Sequence, residues 1–288
     1  MDTDPSPTNP QTLLVSTHRR WICEDLAKAA AHLPLDVVYD LGVSLPQCDP
    51  ARTAIWTPVE QAARLLYSGF EVPLVSAGPY WLSNISRRWT ARKIWSGRVD
   101  QLGSAPRGGW CKPAEIKHQR VPAGFWDHID GFRRLAEQYL HPDTVVQVCP
   151  DVLDIQAEVR TFVVAGRVLT SSLYMLDGEV FDYDRPFRSN LQLQGAAFAR
   201  RAADAVGDGQ PPSYVLDVAL CRQRGWCVLE ANPVWSSGYY AADLGWVLRS
   251  VLRGVDLDHR APQWRWQPDP YLVEYTRRQG RLPARQSS

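Results

Sequence analysis

This sequence has almost no net charge. Its 288 residues carry 32 lysines and arginines against 31 aspartates and glutamates, a formal charge of +1 at pH 7. A near-neutral protein creates no overall field that attracts nucleic acid or an anionic membrane. No uninterrupted apolar run reaches membrane-spanning length, and the N-terminus is acidic and proline-rich, unlike a signal peptide. We therefore expect a soluble, cytoplasmic protein without a membrane partner.

The cysteine and histidine signatures of a zinc site are also missing. The six cysteines include no CxxC pair, and the six histidines include no HExxH motif. Cysteines scattered through apolar runs are usually buried free thiols in a reducing compartment. The pattern argues against a zinc enzyme and against a disulfide-stabilised secreted domain.

Positive charge is concentrated in one segment. Between residues 87 and 120 there are nine basic residues and two acidic ones. Such a segment could hold polyphosphate or carboxylate groups, or it could be a solvated basic face. Both interpretations remain open for Arg87, Arg88 and Arg92.

Composition divides the chain into four parts. Residues 1–11 are polar, contain three prolines and are predicted to be a disordered leader. Residues 12–80 alternate strands with helices, which is typical of a small parallel α/β unit. Residues 81–255 contain hairpins and helices, and residues 256–288 form a C-terminal extension whose polar end is predicted to be disordered.

Hydrophobic patterns predict the individual elements. Strands are predicted at 13–16, 36–39, 53–56, 72–75, 110–113 and 145–148, and helices at 24–32, 59–69, 125–139, 194–205 and 241–253. A hairpin is predicted with strands 158–164 and 167–174. No motif assigns a role to the loop at 177–188.

The most informative pattern is a second hairpin. Two apolar, β-branched runs, 214–221 and 226–233, flank a short polar turn that ends in glycine. If the turn consists of residues 222–225, Cys221 pairs with Trp226, and this pairing fixes the register of the whole hairpin.

In that register Asp217 lies opposite Glu230, and Asn232 shares their face. Opposed like charges destabilise a strand pair, and a cation between them would turn repulsion into attraction. Two carboxylates and one amide are ligands that suit Mg²⁺. The hairpin therefore predicts a nucleotide-bound magnesium site. The plainer alternative is a solvated acidic face, and a register slip of one residue would separate the pair.

Other motifs precede this hairpin in a definite order. They are Trp110-Cys111-Lys112-Pro113, Val145-Val146-Gln147-Val148, Ala157-Glu158-Val159-Arg160-Thr161-Phe162-Val163, Tyr214-Val215-Leu216-Asp217-Val218 and Val228-Leu229-Glu230-Ala231-Asn232-Pro233. In order and spacing they resemble the ATP-grasp superfamily, in particular its uncharacterised, amide-ligase-like branch. The resemblance spans residues 80–253.

The resemblance implies an α+β fold of the ATP-grasp type, in which two α+β subdomains grip a nucleotide. Residues 12–80 would be the small Rossmann-like α/β domain that precedes it. It further implies an ATP- and Mg²⁺-dependent ligase that activates a carboxylate as an acyl phosphate, which an amine attacks. The partners would be a small-molecule, amino-acid or peptide carboxylate and an amine, and the protein would be a monomer or homodimer.

The resemblance also suggests roles for individual residues. Lys112 would be the catalytic cation on the ATP phosphates, and Lys117 is a second candidate for phosphate binding. Asp217, Glu230 and Asn232 would hold the metal.

Further roles concern the strands before the hairpin. Arg160 would be catalytic and face the transferring phosphoryl group, because a guanidinium binds such oxygens in pairs. Glu158 would orient Arg160 or touch ribose or metal. Gln147 and Val148 resemble the hinge that binds adenine through its main chain.

The family also places substrate-contacting arginines near Arg87, Arg88 and Arg92. Each assignment has a plainer alternative. Lys112 could be an exposed strand end, and Asn232-Pro233 could simply initiate a turn.

The sequence departs from the family in one loop. Residues 114–121 contain no glycine, whereas many members have a glycine-rich phosphate loop there. Two other functions therefore stay open: a non-catalytic nucleotide-binding module of the same fold, and a nucleic-acid-binding protein that uses the basic, tryptophan-bearing stretch 81–120. The near-neutral net charge disfavours the latter.

Overall fold

The computed structural model describes residues 8–180 and 190–284. The strands in these residues are β1 (Thr12–Ser16), β2 (Asp36–Asp40), β3 (Thr53–Trp56), β4 (Trp95–Arg98), β5 (Gly109–Pro113), β6 (Gly124–Trp126), β7 (Val145–Cys149), β8 (Ile155–Val164), β9 (Arg167–Leu176), β10 (Glu179–Val180), β11 (Ser213–Cys221) and β12 (Gly225–Asn232). The helices are α1 (Arg20–Ala30), α2 (Val59–Tyr67), α3 (Trp81–Asn84), α4 (Arg87–Thr90), α5 (Ile129–Tyr139), α6 (Asn190–Val206), α7 (Leu244–Leu252) and α8 (Pro270–Gln279). Most of the loop predicted at 177–188 lies outside the described residues.

The first sheet is parallel and has the order β2-β1-β3. Its central strand β1 is buried along nearly its whole length, because a helix follows β1 and another follows β3 in the crossovers that parallel strands require. The three strands predicted in this region are confirmed. The strand predicted at 72–75 is wrong, since Leu74 and Val75 each form an isolated bridge to the C-terminal part of the chain.

Two antiparallel sheets form the rest of the molecule. One has the order β4-β7-β5-β6 and the other β10-β9-β8-β11-β12, and residues 150–154 connect them. Helix α6 packs on one face of the five-stranded sheet, and the opposite face carries the polar residues described below. The predicted hairpin of β8 and β9 is confirmed. Ala165 and Gly166 at its turn have φ of 46° and 74°, as a two-residue type I′ turn requires.

The helix predicted at 125–139 starts later than the pattern indicated. Phe125 belongs to β6 and pairs with Trp110 of β5, and helix α5 begins at Ile129. Pairing with a neighbouring strand has overridden the local helical pattern, which is the usual way that tertiary contacts override propensity.

Both chain ends that were predicted to be loose contribute contacts. Thr8 donates its backbone N–H to Asp258 Oδ2 at 2.8 Å, so the described part of the predicted leader is joined to the fold. Helix α8, in the predicted extension, packs against α2, and Leu45 donates its backbone N–H to Pro283 O at 2.9 Å. Residues 1–7 and 285–288 lie outside the described residues. No helix in the described ranges combines the length and apolarity needed to cross a bilayer.

Helix α6 approaches the five-stranded sheet most closely at Gly195. A Cβ at this position would lie 2.8 Å from Val159 Cβ and 2.9 Å from the ring of Trp226. Gly195→Ala should therefore lower the free energy of unfolding by about 1–3 kcal/mol, although alanine favours an exposed helix by about 1 kcal/mol over glycine.

Gly103→Ala is the matched control, because nothing lies within 4 Å of a Cβ there and the backbone is not left-handed. Its unfolding free energy should stay within about 0.5 kcal/mol of the parent. Urea denaturation measures both variants. Equal stabilities of the two would contradict the close helix–sheet packing.

Candidate functional site

The two antiparallel sheets meet at an ion pair. Lys112 Nζ of β5 lies 2.5 Å from Glu230 Oε2 of β12. Side chains alternate along β5, so Cys111 is buried beneath the sheet while Lys112 and the half-exposed Trp110 share the face toward the cleft. Lys112 is therefore not a solvated strand end. It joins the four-stranded sheet to the five-stranded one.

The β11–β12 hairpin has a different register from the predicted one at its turn. Cys221 pairs with Gly225 and not with Trp226, so the turn is one residue shorter. A β-bulge next to Asp217 then adds one residue on β12, which restores Asp217 opposite Glu230. The predicted opposition of the two acids is confirmed, but two offsetting shifts produce it.

Asp217 is completely buried and pairs with Arg160. On the neighbouring strand β8, Arg160 lies directly opposite Asp217 and donates from Nε to Oδ1 at 2.9 Å and from Nη2 to Oδ2 at 2.7 Å. Asn232 Nδ2 donates at 3.0 Å both to Asp217 Oδ2 and to Glu230 Oε1. The hairpin acids thus form a buried network, and the solvated-face interpretation is wrong.

The network contains two carboxylates and two cations. Burial alone would raise the pKa of Glu230, but Lys112, Asn232 and Arg160 lower it to about 2. Burial raises the pKa of Asp217, and the Arg160 guanidinium opposes this shift. The charges of the chain therefore compensate one another inside the site.

Aromatic residues that the sequence analysis missed enclose Arg160. Its guanidinium carbon lies 5.4 Å from the ring centre of Tyr174 and 5.0 Å from that of Tyr240, and the two rings stack 4.6 Å apart. Gly238 O accepts from Arg160 Nη1 at 3.0 Å. No motif marks these positions, because Tyr174 sits where β9 bulges against β8 and Tyr240 lies in an irregular loop with φ of 51°.

Glu158 lies on the same buried face as Arg160. Its carboxylate accepts a hydrogen bond from the Tyr174 hydroxyl. Burial raises the pKa of Glu158 to about 7, and the charges of Asp217 and Glu230 act in the same direction. Glu158 is therefore not part of an ordinary surface ion pair with Arg160.

Gln147 and Val148 have different surroundings. Gln147 lines the same small cavity as Lys112, Glu230 and Asn232, and its Nε2 donates to Pro79 O at 3.2 Å. Val148 is completely buried within β7, which pairs with β4 on one side and β5 on the other. The linker at 150–154 begins directly after this strand. A main-chain contact to adenine stays a prediction.

Two of the predicted site residues lie elsewhere. Lys117 lines a separate cavity of about 580 Å³ beside α8, away from the cavity that contains Lys112. Arg92 is buried, and its guanidinium donates to the backbone oxygens of Thr90, Val228 and Leu229 at 2.8–3.0 Å. The substrate role predicted for Arg92 is therefore corrected: the side chain fastens the segment after α4 onto β12.

Arg87 and Arg88 are exposed on helix α4. The Arg88 guanidinium lies 5.5 Å from the ring centre of Trp89. A substrate contact by these two arginines stays a prediction.

The donor set fits magnesium and not a softer metal. In the described ranges, no group of three or more histidine, cysteine, aspartate or glutamate side chains could hold a metal ion. Asp217, Glu230 and Asn232 instead bring two carboxylates and one amide within hydrogen-bonding distance of one another. Mg²⁺ commonly takes few protein oxygens and completes its shell with phosphates and water, so these three residues suffice.

A nucleotide-gripping cleft between two antiparallel sheets defines an ATP-grasp protein. Residues 89–249, more than half of the chain, match the model of an ATP-grasp domain family, the second family of its clade. The chain belongs to this family. A comparison with curated protein sequences gave no match.

A solved structure agrees with the fold. A D-cycloserine synthetase is 14% identical with a TM-score of 0.54, over 84% of this chain and 98% of that one. At this identity the likeness concerns the fold alone. A D-alanine–D-alanine ligase from Bacillus anthracis is 12% identical with a TM-score of 0.48, over 88% and 99% of the two chains, and this weaker likeness adds nothing to the assignment.

Because the pKa of Glu158 is raised from 4.5 to about 7, the folded protein binds this proton more tightly than the unfolded chain. The resulting stability is fully present below pH 4.5 and is lost as pH rises to about 7, with an upper limit of about 3 kcal/mol. Glu158→Gln should therefore reduce the fall in melting temperature between pH 4.5 and 7.

Glu115 provides the comparison. Burial also raises the pKa of its carboxyl to about 7. Glu115→Gln should remove a comparable part of the slope, and the double variant should show the flattest profile. A Glu158→Gln profile parallel to that of the parent would show that Glu158 ionises normally.

Proposed function

We propose that the protein is an ATP- and Mg²⁺-dependent ligase that joins a carboxylate to an amine through an acyl phosphate. One observation carries the proposal. Lys112, Arg160, Asp217, Glu230 and Asn232 come from strands of both antiparallel sheets and form one connected, largely buried network. Membership of an ATP-grasp family supports ATP as the nucleotide.

The side chains suit phosphoryl transfer, in which positioning and charge neutralisation do most of the catalysis. Lys112 would bind the ATP phosphates. Arg160 would bind the phosphoryl group during its transfer to the substrate carboxylate, and its contacts to Tyr174 and Tyr240 restrict its orientation. Mg²⁺, held by the hairpin acids and Asn232, would supply additional positive charge against the phosphate oxygens.

Binding requires an exchange of partners. In the free protein each hairpin carboxylate already has a cationic partner from the chain, Arg160 for Asp217 and Lys112 for Glu230. Metal without nucleotide would leave a surplus of positive charge, and nucleotide without metal a surplus of negative charge. Isolated buried charges are costly. Metal and nucleotide should therefore bind together.

Thermal unfolding tests this joint binding. Mg²⁺ alone and ATP alone should change the melting temperature little, whereas both together should raise it clearly. A ligand at about 100 times its dissociation constant adds roughly 2.7 kcal/mol. In Glu230→Gln the joint shift should be largely lost. An undiminished shift in this variant would remove the hairpin acids from the metal site.

Glu230 is a better test position than Asp217. Asp217→Asn would leave the buried Arg160 guanidinium without its charged partner, which costs about 3–5 kcal/mol when a buried pair is broken. A loss of binding in that variant could come from unfolding alone.

The two lysines provide a matched pair of variants. Lys112→Met should weaken binding of ATP with Mg²⁺ by at least tenfold, since a cation on the phosphates is lost. Lys117→Met should bind like the parent, because Lys117 lines a different cavity. Isothermal titration calorimetry measures both. Equal losses in the two variants, or a loss confined to Lys117→Met, would overturn the placement of the phosphates at Lys112.

Release of ADP tests the reaction itself. A panel of carboxylates and amines, supplied in pairs, should include one that makes ADP release depend on both compounds. Tight binding of ATP with Mg²⁺ and no ADP release from any pair would favour the non-catalytic nucleotide-binding module.

A further inference from the structure

Two thiols meet in the hairpin that carries Asp217 and Glu230. The Sγ atoms of Cys221 and Cys227 lie 3.6 Å apart, and the residues are 2% and 0% exposed. Cys221 pairs with Gly225, and Cys227 pairs with Ala219, so the cysteines are diagonal neighbours on one face of the hairpin. A disulfide has its sulfurs about 2.05 Å apart. Small side-chain rotations would close the remaining gap.

The surroundings of the pair differ for its two members. The hydrogen bond with Cys227 lowers the pKa of Cys221, burial opposes this shift, and the guanidinium groups of Arg92 and Arg224 lower it further. The same hydrogen bond and burial raise the pKa of Cys227. The thiolate is the nucleophilic form of cysteine, so Cys221 is the reactive member.

The pair also lies against the linker between the two antiparallel sheets. Leu153 and Ile155 pack on the cysteines. The hairpin turn is tied to the same linker, because Arg224 Nη2 lies 3.0 Å from Asp151 Oδ1 and Arg222 donates its backbone N–H to Asp154 O at 3.0 Å. A bond between the cysteines would therefore form where the hairpin and the linker are joined.

We propose that Cys221 and Cys227 are a modification site that a peroxide oxidises to a reversible disulfide. The Cys221 thiolate attacks a peroxide oxygen, the O–O bond breaks, and a sulfenic acid and water form. The Cys227 thiol then attacks this sulfur, and a second water leaves. Two thiols lose two protons and two electrons in total, and one hydrogen peroxide becomes two waters. A dithiol reductant reverses the bond.

Peptide mapping tests the proposal on the parent protein. The purified full chain is treated with hydrogen peroxide, its remaining thiols are alkylated, and it is digested with trypsin. Trypsin cuts after Arg222 and Arg224, which separates the cysteines into peptides 202–222 and 225–249. We expect these two peptides to be recovered as one cross-linked species that is two hydrogens lighter than their sum and that dithiothreitol separates.

The chain contains a matched control pair. Cys111 and Cys149 lie on adjacent strands β5 and β7, but Cys111 pairs with Val148 and Cys149 with Trp110, so their side chains point to opposite faces. No cross-link should form between them. The C111S/C149S variant should keep the Cys221–Cys227 cross-link, and C221S should abolish it.

Two results would overturn the proposal. In the first, Cys221 and Cys227 remain alkylatable at a peroxide dose that oxidises the half-buried Cys23 and Cys48. In the second, the two peptides are recovered separately as sulfinic or sulfonic acids. The mapping reads the bond directly in the parent protein, so the proposal stays testable even if a serine variant fails to fold and whether or not the protein is a ligase.

Discussion

The buried pair of Arg160 and Asp217 is the interaction on which the rest of the site depends. Asp217 has no contact with solvent, so its negative charge is stable only because the guanidinium supplies two hydrogen bonds to it. The central strands β8 and β11 of the five-stranded sheet hold the two residues directly opposite each other. Asn232 then connects this pair to Glu230, and Glu230 connects it to Lys112 on the other sheet.

The N-terminal sheet supports the same pair from outside the cleft. The loop after Asn232 is held on β3, where Thr57 donates its backbone N–H to Trp235 O at 2.9 Å. Tyr239 donates its hydroxyl to Asp25 of α1 at 2.7 Å. This loop supplies Gly238 O and the Tyr240 ring to Arg160. Residues far apart in the chain therefore fix the orientation of one guanidinium.

The loop after Lys112 shows what the missing glycines mean. Ile116 and Val121 are buried in the main core, and His118 packs on the ring of Tyr271 in helix α8. A loop anchored in this way carries Lys117 toward a separate cavity. The departure from the family pattern that the sequence shows at 114–121 is thus a real difference in structure, and in the free protein Glu230 is the partner of Lys112.

The sequence by itself determined the strands of the parallel sheet, the β8–β9 hairpin and the grouping of Asp217, Glu230 and Asn232, because alternation along a strand and local turn chemistry are encoded by near neighbours. Tertiary structure decided the rest. The bulge beside Asp217, the bulge that places Tyr174 and the burial of Arg92 all depend on which strand or backbone oxygen lies alongside. Such contacts join residues distant in sequence, and no local pattern records them.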